Sequence, residues 1–301
     1  MRILVTDGMD RSAIDTLRAQ GHEVVEQFYE PDALGKALRE FDVAVVRSKT
    51  KVRASHIDEA KGGRLKCIIR GGIGLDNIDV GYAEANDVTV RNTPNASTES
   101  VAELALAHML ACARYVSVSG HSMRNGAWEK KAYGKGIELM GKRLGIYGYG
   151  RIGKRLGVMA KSLGMNVVAY RRSADPESID DVGIIYVTEE KLLRTCDFIS
   201  LHAPSSQEGP LVTADKIAAM KDGVCIINTS RGANLDEAAL LDALNSGKVR
   251  AAGLDVWMDE PTHHQALLEH PNVSCTPHIG AATVEAQKRI GAEVVQIIAG
   301  L

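Results

Sequence analysis

Leu144-Gly145-Ile146-Tyr147-Gly148-Tyr149-Gly150-Arg151-Ile152-Gly153 is the stretch on which the fold turns. The apolar run 143–147 reads as a short buried strand. It breaks into three glycines spaced G-x-G-x-x-G, and Leu156, Met159, Ala160 and Leu163 then recur at helical spacing. Strand, tight turn and helix in that order is the setting in which such glycines bind a dinucleotide. Gly148 allows the turn, Gly150 lets backbone approach a pyrophosphate, and Gly153 lets helix and strand pack closely. The helix start adds unpaired N–H groups and a partial positive charge for phosphates.

Working outward, further strands are predicted over 166–170, 198–201, 224–228, 252–256 and 273–275, with helical patterns such as 217–220 and 237–246 between them. This is a complete doubly wound domain. Upstream, residues 1–94 alternate strand-like runs (3–5, 23–25, 43–46, 67–69, 88–90) with helical spacing over 12–20 and 33–40. That alternation predicts a second parallel sheet flanked by helices, without a glycine fingerprint of its own. Asn92-Thr93-Pro94-Asn95 marks a boundary by composition, and a last amphipathic helix is expected over 284–298. The fold class is therefore α/β with two doubly wound parallel-sheet domains, a division that 301 residues accommodate.

Composition narrows the function classes. A net charge of -2 provides no global field for nucleic acid or an anionic membrane. The longest apolar stretch, 104–113, is interrupted by His108 and too short to span a bilayer. The start, Met1-Arg2-Ile3-Leu4-Val5, reads as a first strand and not as a signal peptide. Cys67, Cys112, Cys196, Cys225 and Cys275 are scattered without a C-x-x-C, so buried reduced thiols in a cytoplasmic protein are expected. No metal site is expected, since His263-His264 lacks partners at ligand spacing. The helix after Pro94 is apolar around much of its circumference, which suggests packing on a second subunit; His108 on it reads as a packing histidine and not a ligand.

Cofactor choice is read at the end of the second strand of the fingerprint domain. An acidic residue there would bond the ribose hydroxyls, but Arg171-Arg172-Ser173 follows Tyr170 instead. Guanidinium forks match phosphate oxygens, so NADP is expected over NAD, with NAD retained as the alternative. Three motifs beyond strands supply the parts for proton-coupled hydride transfer: Asn228-Thr229-Ser230-Arg231-Gly232, Asp255-Val256-Trp257-Met258-Asp259-Glu260-Pro261 and Thr276-Pro277-His278-Ile279-Gly280. Arg231 would hold a carboxylate and polarise the oxygen, His278 would exchange the hydroxyl proton, and Glu260 beside it would favour imidazolium.

Together with Arg70-Gly71-Gly72-Ile73-Gly74-Leu75-Asp76-Asn77-Ile78-Asp79 and Gly126-Ala127-Trp128-Glu129-Lys130, these motifs resemble the D-2-hydroxyacid dehydrogenase family nearly end to end. Its D-3-phosphoglycerate dehydrogenase branch is the most similar. The resemblance implies Arg231, Glu260 and His278 as catalytic residues. It implies cofactor contacts from Arg151, Ile152, Thr229 and Asp255 beside Gly148, Gly150, Gly153, Arg171 and Arg172. Backbone groups of Gly71, Gly72, Ile73 and Gly74 would receive the substrate carboxylate. It also implies a flavodoxin-like substrate domain, 1–94 plus 283–301, hinged to a Rossmann cofactor domain, 95–282, with cleft closure, and a homodimer through the long helix. The appended serine-sensing domain of some phosphoglycerate dehydrogenases is not expected, nor is feedback by serine.

The substrate stays open between two readings. The basic segment Arg47-Ser48-Lys49-Thr50-Lys51-Val52-Arg53 would serve a substrate phosphate, and with the Trp128 region it leans toward 3-phosphoglycerate and 3-phosphohydroxypyruvate. Arg171-Arg172 resembles the NADP-using glyoxylate and hydroxypyruvate reductases instead. A dinucleotide-sensing binding protein without activity is the third and weakest reading.

Overall fold

Four- to six-residue runs of valine, isoleucine, alanine and cysteine are too short for a buried helix and form strands instead. The structure, a computed structural model, describes residues 1–301. Its contacts divide the chain into two units, Met1–Ser97 with Ala281–Leu301, and Thr98–Gly280.

The first unit holds strands β1 (Arg2–Val5), β2 (Glu23–Glu26), β3 (Val43–Val46), β4 (Cys67–Arg70) and β5 (Thr89–Asn92). They pair in parallel in the order β2-β1-β3-β4-β5. All four residues of β3 are buried, as a central strand covered on both faces requires. One face carries α2 (Pro31–Leu38) and α3 (Ala54–Ala60), whose Leu34, Leu38 and Ile57 pack with Leu4, Ala44 and Ile68. The other face joins Ile3, Val5 and Ile69 to α1 (Arg11–Ala19) and to Val294 and Ile298 of the C-terminal helix, Val284–Ala299. That helix closes this unit's core although it is last in the chain. A short α4 (Val80–Glu84) completes the unit.

The second unit begins with α5 (Thr98–Arg114) and α6 (Val116–Arg124), and continues with β6 (Arg143–Tyr147), α7 (Arg151–Ser162), β7 (Asn166–Tyr170), β8 (Ile185–Tyr186) and α8 (Glu189–Thr195). There follow β9 (Phe198–Leu201), α9 (Ala214–Ala219), β10 (Val224–Asn228), α10 (Glu237–Ser246), β11 (Val249–Leu254), α11 (Gln265–Leu268) and β12 (Val273–Cys275). Seven parallel strands run β12-β11-β10-β9-β6-β7-β8. The winding reverses between β6 and β9, and beyond the carboxyl ends of those strands lies the crevice where this architecture takes ligands. Glu99 of α5 and Arg155 of α7 lock the two helices on one face through a fork of two bonds of 2.6 Å each.

Several expectations need correction. β8 was not anticipated: it is a two-residue edge strand, too short to show alternation. β11 begins at Val249 and ends at Leu254, not at 252 and 256, because its register against β10 shifts between Val224 and Cys225 and places Arg250 in a bulge. A charged residue in a bulge hides the strand's start. β5 extends to Asn92. The long helix stops at Arg114, where Tyr115 takes a left-handed backbone (φ 58°), and restarts as α6. Four cysteines are buried as expected, but Cys275, the last residue of β12, is exposed. It pairs with Leu254 along an edge that has no further strand to cover it.

Candidate active site and nucleotide cavity

Gly148 follows β6 with φ +90°, a backbone region that L side chains rarely adopt. A Cβ there would lie 2.4 Å from the Ala203 nitrogen, so the glycine turn passes directly against the loop after β9. Gly150 is the opposite case: a Cβ there would meet nothing within 4 Å. Its open side faces the start of α7, whose first N–H groups receive no side-chain cap. Backbone donors, a positive helix end and free space coincide here, which is what a pyrophosphate needs. Gly153 lets α7 settle on β6, since a Cβ would come within 2.8 Å of Ile146 Cγ2.

Around this turn opens a cavity of about 1100 Å³, lined by Gly148, Gly150, Arg151, Arg171, Arg172 and Ser173 among others. The register decides which residues lie beside the glycine turn. Tyr147 pairs with Tyr170, and the Gly148 N–H donates to the Tyr170 carbonyl at 3.0 Å. Arg171 is therefore the first residue past β7, opposite the glycine turn, where an acid would mark an NAD site. Both arginines are exposed at the rim, while Asp175 does not line the cavity. Ile152, Thr229 and Asp255, expected at the cofactor from resemblance, do not line it either.

Some of the lining was not anticipated. Tyr147 and Tyr170 meet edge to face at 5.1 Å between centroids, and Tyr147 donates to Glu189, which also pairs with Lys216. Tyr149 donates to Asp180 at 2.6 Å. His202 and Pro204, just past β9, also line it. Burial pushes the His202 imidazole down to about 4, so it stands neutral there, its Nε2 bonded to Ser200 Oγ at 2.8 Å. These positions carried no motif; only the rule that ligands sit past strand ends points to the residues after β9.

The three catalytic candidates all belong to the second unit. Arg231 follows β10 on a loop that Asn228 braces: its Nδ2 donates to the Arg231 carbonyl at 2.8 Å and its Oδ1 accepts from Ser230. Gly232 allows this loop to lie against the next, since a Cβ there would sit 1.9 Å from the Trp257 carbonyl carbon. On that second loop, Glu260 Oε1 accepts from the Trp257 N–H, and Oε2 lies 2.6 Å from His278 Nδ1. Both partners keep more than a third of their side-chain surface exposed. Burial alone would raise the Glu260 carboxyl, but the His278 hydrogen bond and charge prevail and hold it below its ordinary value. Glu260 thus binds Nδ1 and leaves Nε2 as the nitrogen available for proton exchange.

In the first unit, the loops after β3 and β4 are tied together. Asn77 Nδ2 donates to the carbonyls of Arg47 and Thr50 at 2.7 Å each, and Asp7 Oδ2 accepts from the Arg47 and Thr50 N–H groups. Gly71 is close to Arg47, whose Cγ would lie 3.5 Å from a Cβ built there. Gly72 adopts φ +146° and Gly74 is partly exposed. Ser48 is exposed, and Lys49 lies 3.8 Å from the Phe28 ring centroid.

The family model for the D-isomer specific 2-hydroxyacid dehydrogenase, NAD binding domain, matches residues 106–280. The chain belongs to the D-isomer specific 2-hydroxyacid dehydrogenase family. Its members are NAD(P)-binding oxidoreductases of 2-hydroxy acids. The hydroxypyruvate reductase of Thermotoga maritima is 47% identical, over 99% of this chain and 97% of its own. The D-3-phosphoglycerate dehydrogenase of Methanocaldococcus jannaschii is 41% identical over 99% of this chain, which spans only 57% of that relative's length. Solved structures of other oxidoreductases resemble the whole chain. An acyclic imino acid reductase in complex with NADPH and D-arginine has a TM-score of 0.88 at 26% identity, covering 99% of this chain and 96% of its own. An NAD-dependent formate dehydrogenase from Staphylococcus aureus, in complex with NAD, has 0.86 at 26%, covering 99% and 95%.

Proposed function

We propose that this dehydrogenase works as an NADPH-preferring reductase of short 2-oxo acids, with hydroxypyruvate and glyoxylate as its first substrates. The observation that carries the reading is that Arg171-Arg172-Ser173 lines the cavity immediately past β7, beside the glycine turn. Two exposed guanidinium groups there suit a 2′-phosphate, and the carboxylates that share the cavity, Asp180 and Asp181, are engaged by Tyr149 and Lys154. The relative named hydroxypyruvate reductase, nearly matched in length, supports the substrate class.

Bound nicotinamide would supply the hydride to C2 of the oxo acid. Arg231 binds the substrate carboxylate and draws charge toward the carbonyl oxygen, where negative charge develops. His278 gives its Nε2 proton to that oxygen, forming the hydroxyl group. Glu260 keeps the ring oriented by its hydrogen bond to Nδ1. Within the first unit, Arg47, Ser48 and the backbone of Gly71, Gly72, Ile73 and Gly74 offer donors suited to an anionic group. The second reading, 3-phosphohydroxypyruvate and 3-phosphoglycerate, is favoured by the basic loop around Arg47 and by the phosphoglycerate dehydrogenases among the relatives.

We further infer a homodimer through α5, α6 and the segment after them. Leu110, Val116, Met123, Trp128 and Met140 are large apolar residues of this stretch left exposed, Trp128 at 79%. Initial rates with NADPH and NADH across hydroxypyruvate, glyoxylate and 3-phosphohydroxypyruvate test the reading. Hydroxypyruvate with NADPH is expected to be fastest. A preference for 3-phosphohydroxypyruvate would establish the second reading instead, and cofactor binding without turnover on any of the three would sink the assigned activity, leaving another substrate or a sensing role.

A further inference from the structure

His108 lies on α5, 2% exposed, with both ring nitrogens engaged. Nδ1 is 3.0 Å from Ser274 Oγ and Nε2 is 3.0 Å from Thr276 Oγ1. Thr276 Oγ1 donates to Asp255 Oδ1 at 2.6 Å. The same carboxylate, 1% exposed, accepts the N–H of Ile279 through Oδ1 and that of Gly280 through Oδ2, each at 2.8 Å. The Asp255 carbonyl accepts the His278 N–H at 2.8 Å. Asp255 therefore holds three successive amides, 278 to 280. The first belongs to a histidine in the left-handed region, at φ 55°, which a side-chain-bearing residue keeps only where its surroundings impose it.

Donor accounting fixes the direction of the chain. Thr276 has one hydroxyl proton, committed to Asp255, so toward His108 it can only accept. His108 Nε2 must carry the hydrogen. Burial pushes the imidazole down from its ordinary value and favours the neutral ring, which leaves Nδ1 to accept from Ser274. Ser274 Oγ in turn lies 3.1 Å from Ser117 Oγ on α6. Gly253 on β11 fixes the ring from behind, since a Cβ there would fall 2.5 Å from His108 Cβ.

We propose that His108 is a positioning residue for this reaction: through Thr276 and Asp255 it holds the backbone that presents His278. The inference rests on the reading of His278 as the proton donor. Buried and hydrogen-bonded at both nitrogens, the ring is the satisfied packing histidine that the sequence suggests, with no open face for a ligand.

The test compares His108→Leu with His108→Gln, whose amide can still donate to Thr276 and accept from Ser274, and Thr276→Val with Thr276→Ser. Steady-state rates, thermal melting and His278→Asn are measured in parallel. His108→Leu and Thr276→Val are expected to lower kcat by roughly 10- to 100-fold while KM for the oxo acid moves less than about threefold. The Gln and Ser variants are expected to recover most of the loss. Undiminished kcat in both His108→Leu and Thr276→Val, with His278→Asn inactive, would overturn this inference alone. An active His278→Asn would overturn the proton-donor reading beneath it. His108→Gln as slow as His108→Leu at equal melting temperature would also count against the hydrogen-bond chain. Independently of turnover, 15N NMR of histidine-labelled protein should show His108 neutral with its proton on Nε2; a proton on Nδ1 would contradict the chain.

Discussion

His202 shows how one side chain in a cavity wall sets a pH dependence. Its folded value of about 4 lies below the ordinary 6.5, so the unfolded chain binds a proton that the folded chain refuses. Stability from this group is complete above about pH 6.5 and is lost as pH falls toward 4, by about 3 kcal/mol in all. Chemical denaturation at pH 7 and pH 4 should show the wild type losing that much more than His202→Gln; equal losses would contradict it. Glu260 behaves differently: its carboxyl is held low, so its contribution persists until pH falls below the ordinary carboxylate range. Among residues, Arg231, Glu260 and His278 stand out in the sequence because each follows a strand in a distinctive motif, and the structure brings Glu260 and His278 into contact. His202 and the tyrosines of the cavity do not. Their types carry no signature, and their role comes from strand order, which no local pattern encodes.

At the scale of elements, the turn between β6 and α7 carries two glycines with different work. Gly148→Ala would force a Cβ against Ala203 backbone at φ +90°, with nothing flexible to yield. A loss of about 2–4 kcal/mol in stability is expected. Gly150→Ala has free space and should leave the melting temperature within about 2 °C while weakening cofactor binding, because the added methyl occupies the phosphate's approach. Equal destabilisation by both would mean that the turn is ordinary. This turn was fully readable, since glycine spacing reports backbone geometry directly. β8 and the start of β11 were not: an edge strand of two residues and a bulge at Arg250 both interrupt the periodicity on which such reading depends. The break at Tyr115 was hidden for a related reason, because helical apolar spacing continues across it while one residue's backbone reverses hand.

For the whole molecule, two parallel sheets follow from alternation of strand and helix, and both strand orders are doubly wound. No single helix is long and apolar enough to cross a membrane. The exposed apolar residues between Leu110 and Met140 belong to the surface proposed to join two copies. Light scattering at micromolar concentration should give twice the 32.4 kDa chain mass, and Trp128→Glu with Met123→Glu should return it to one chain; a monomeric wild type would remove the dimer. The function proposed for the chain hangs on the preference for NADPH proposed for Arg171 and Arg172. The measurement that bears on it most directly is kcat/KM for NADPH and for NADH with hydroxypyruvate, in the wild type and in Arg171→Asp. NADPH should lead by roughly 30- to 150-fold, the worth of about 2–3 kcal/mol in charge-assisted bonds to a phosphate, and Arg171→Asp should reverse the order. NADH equal to or better than NADPH in the wild type would contradict it.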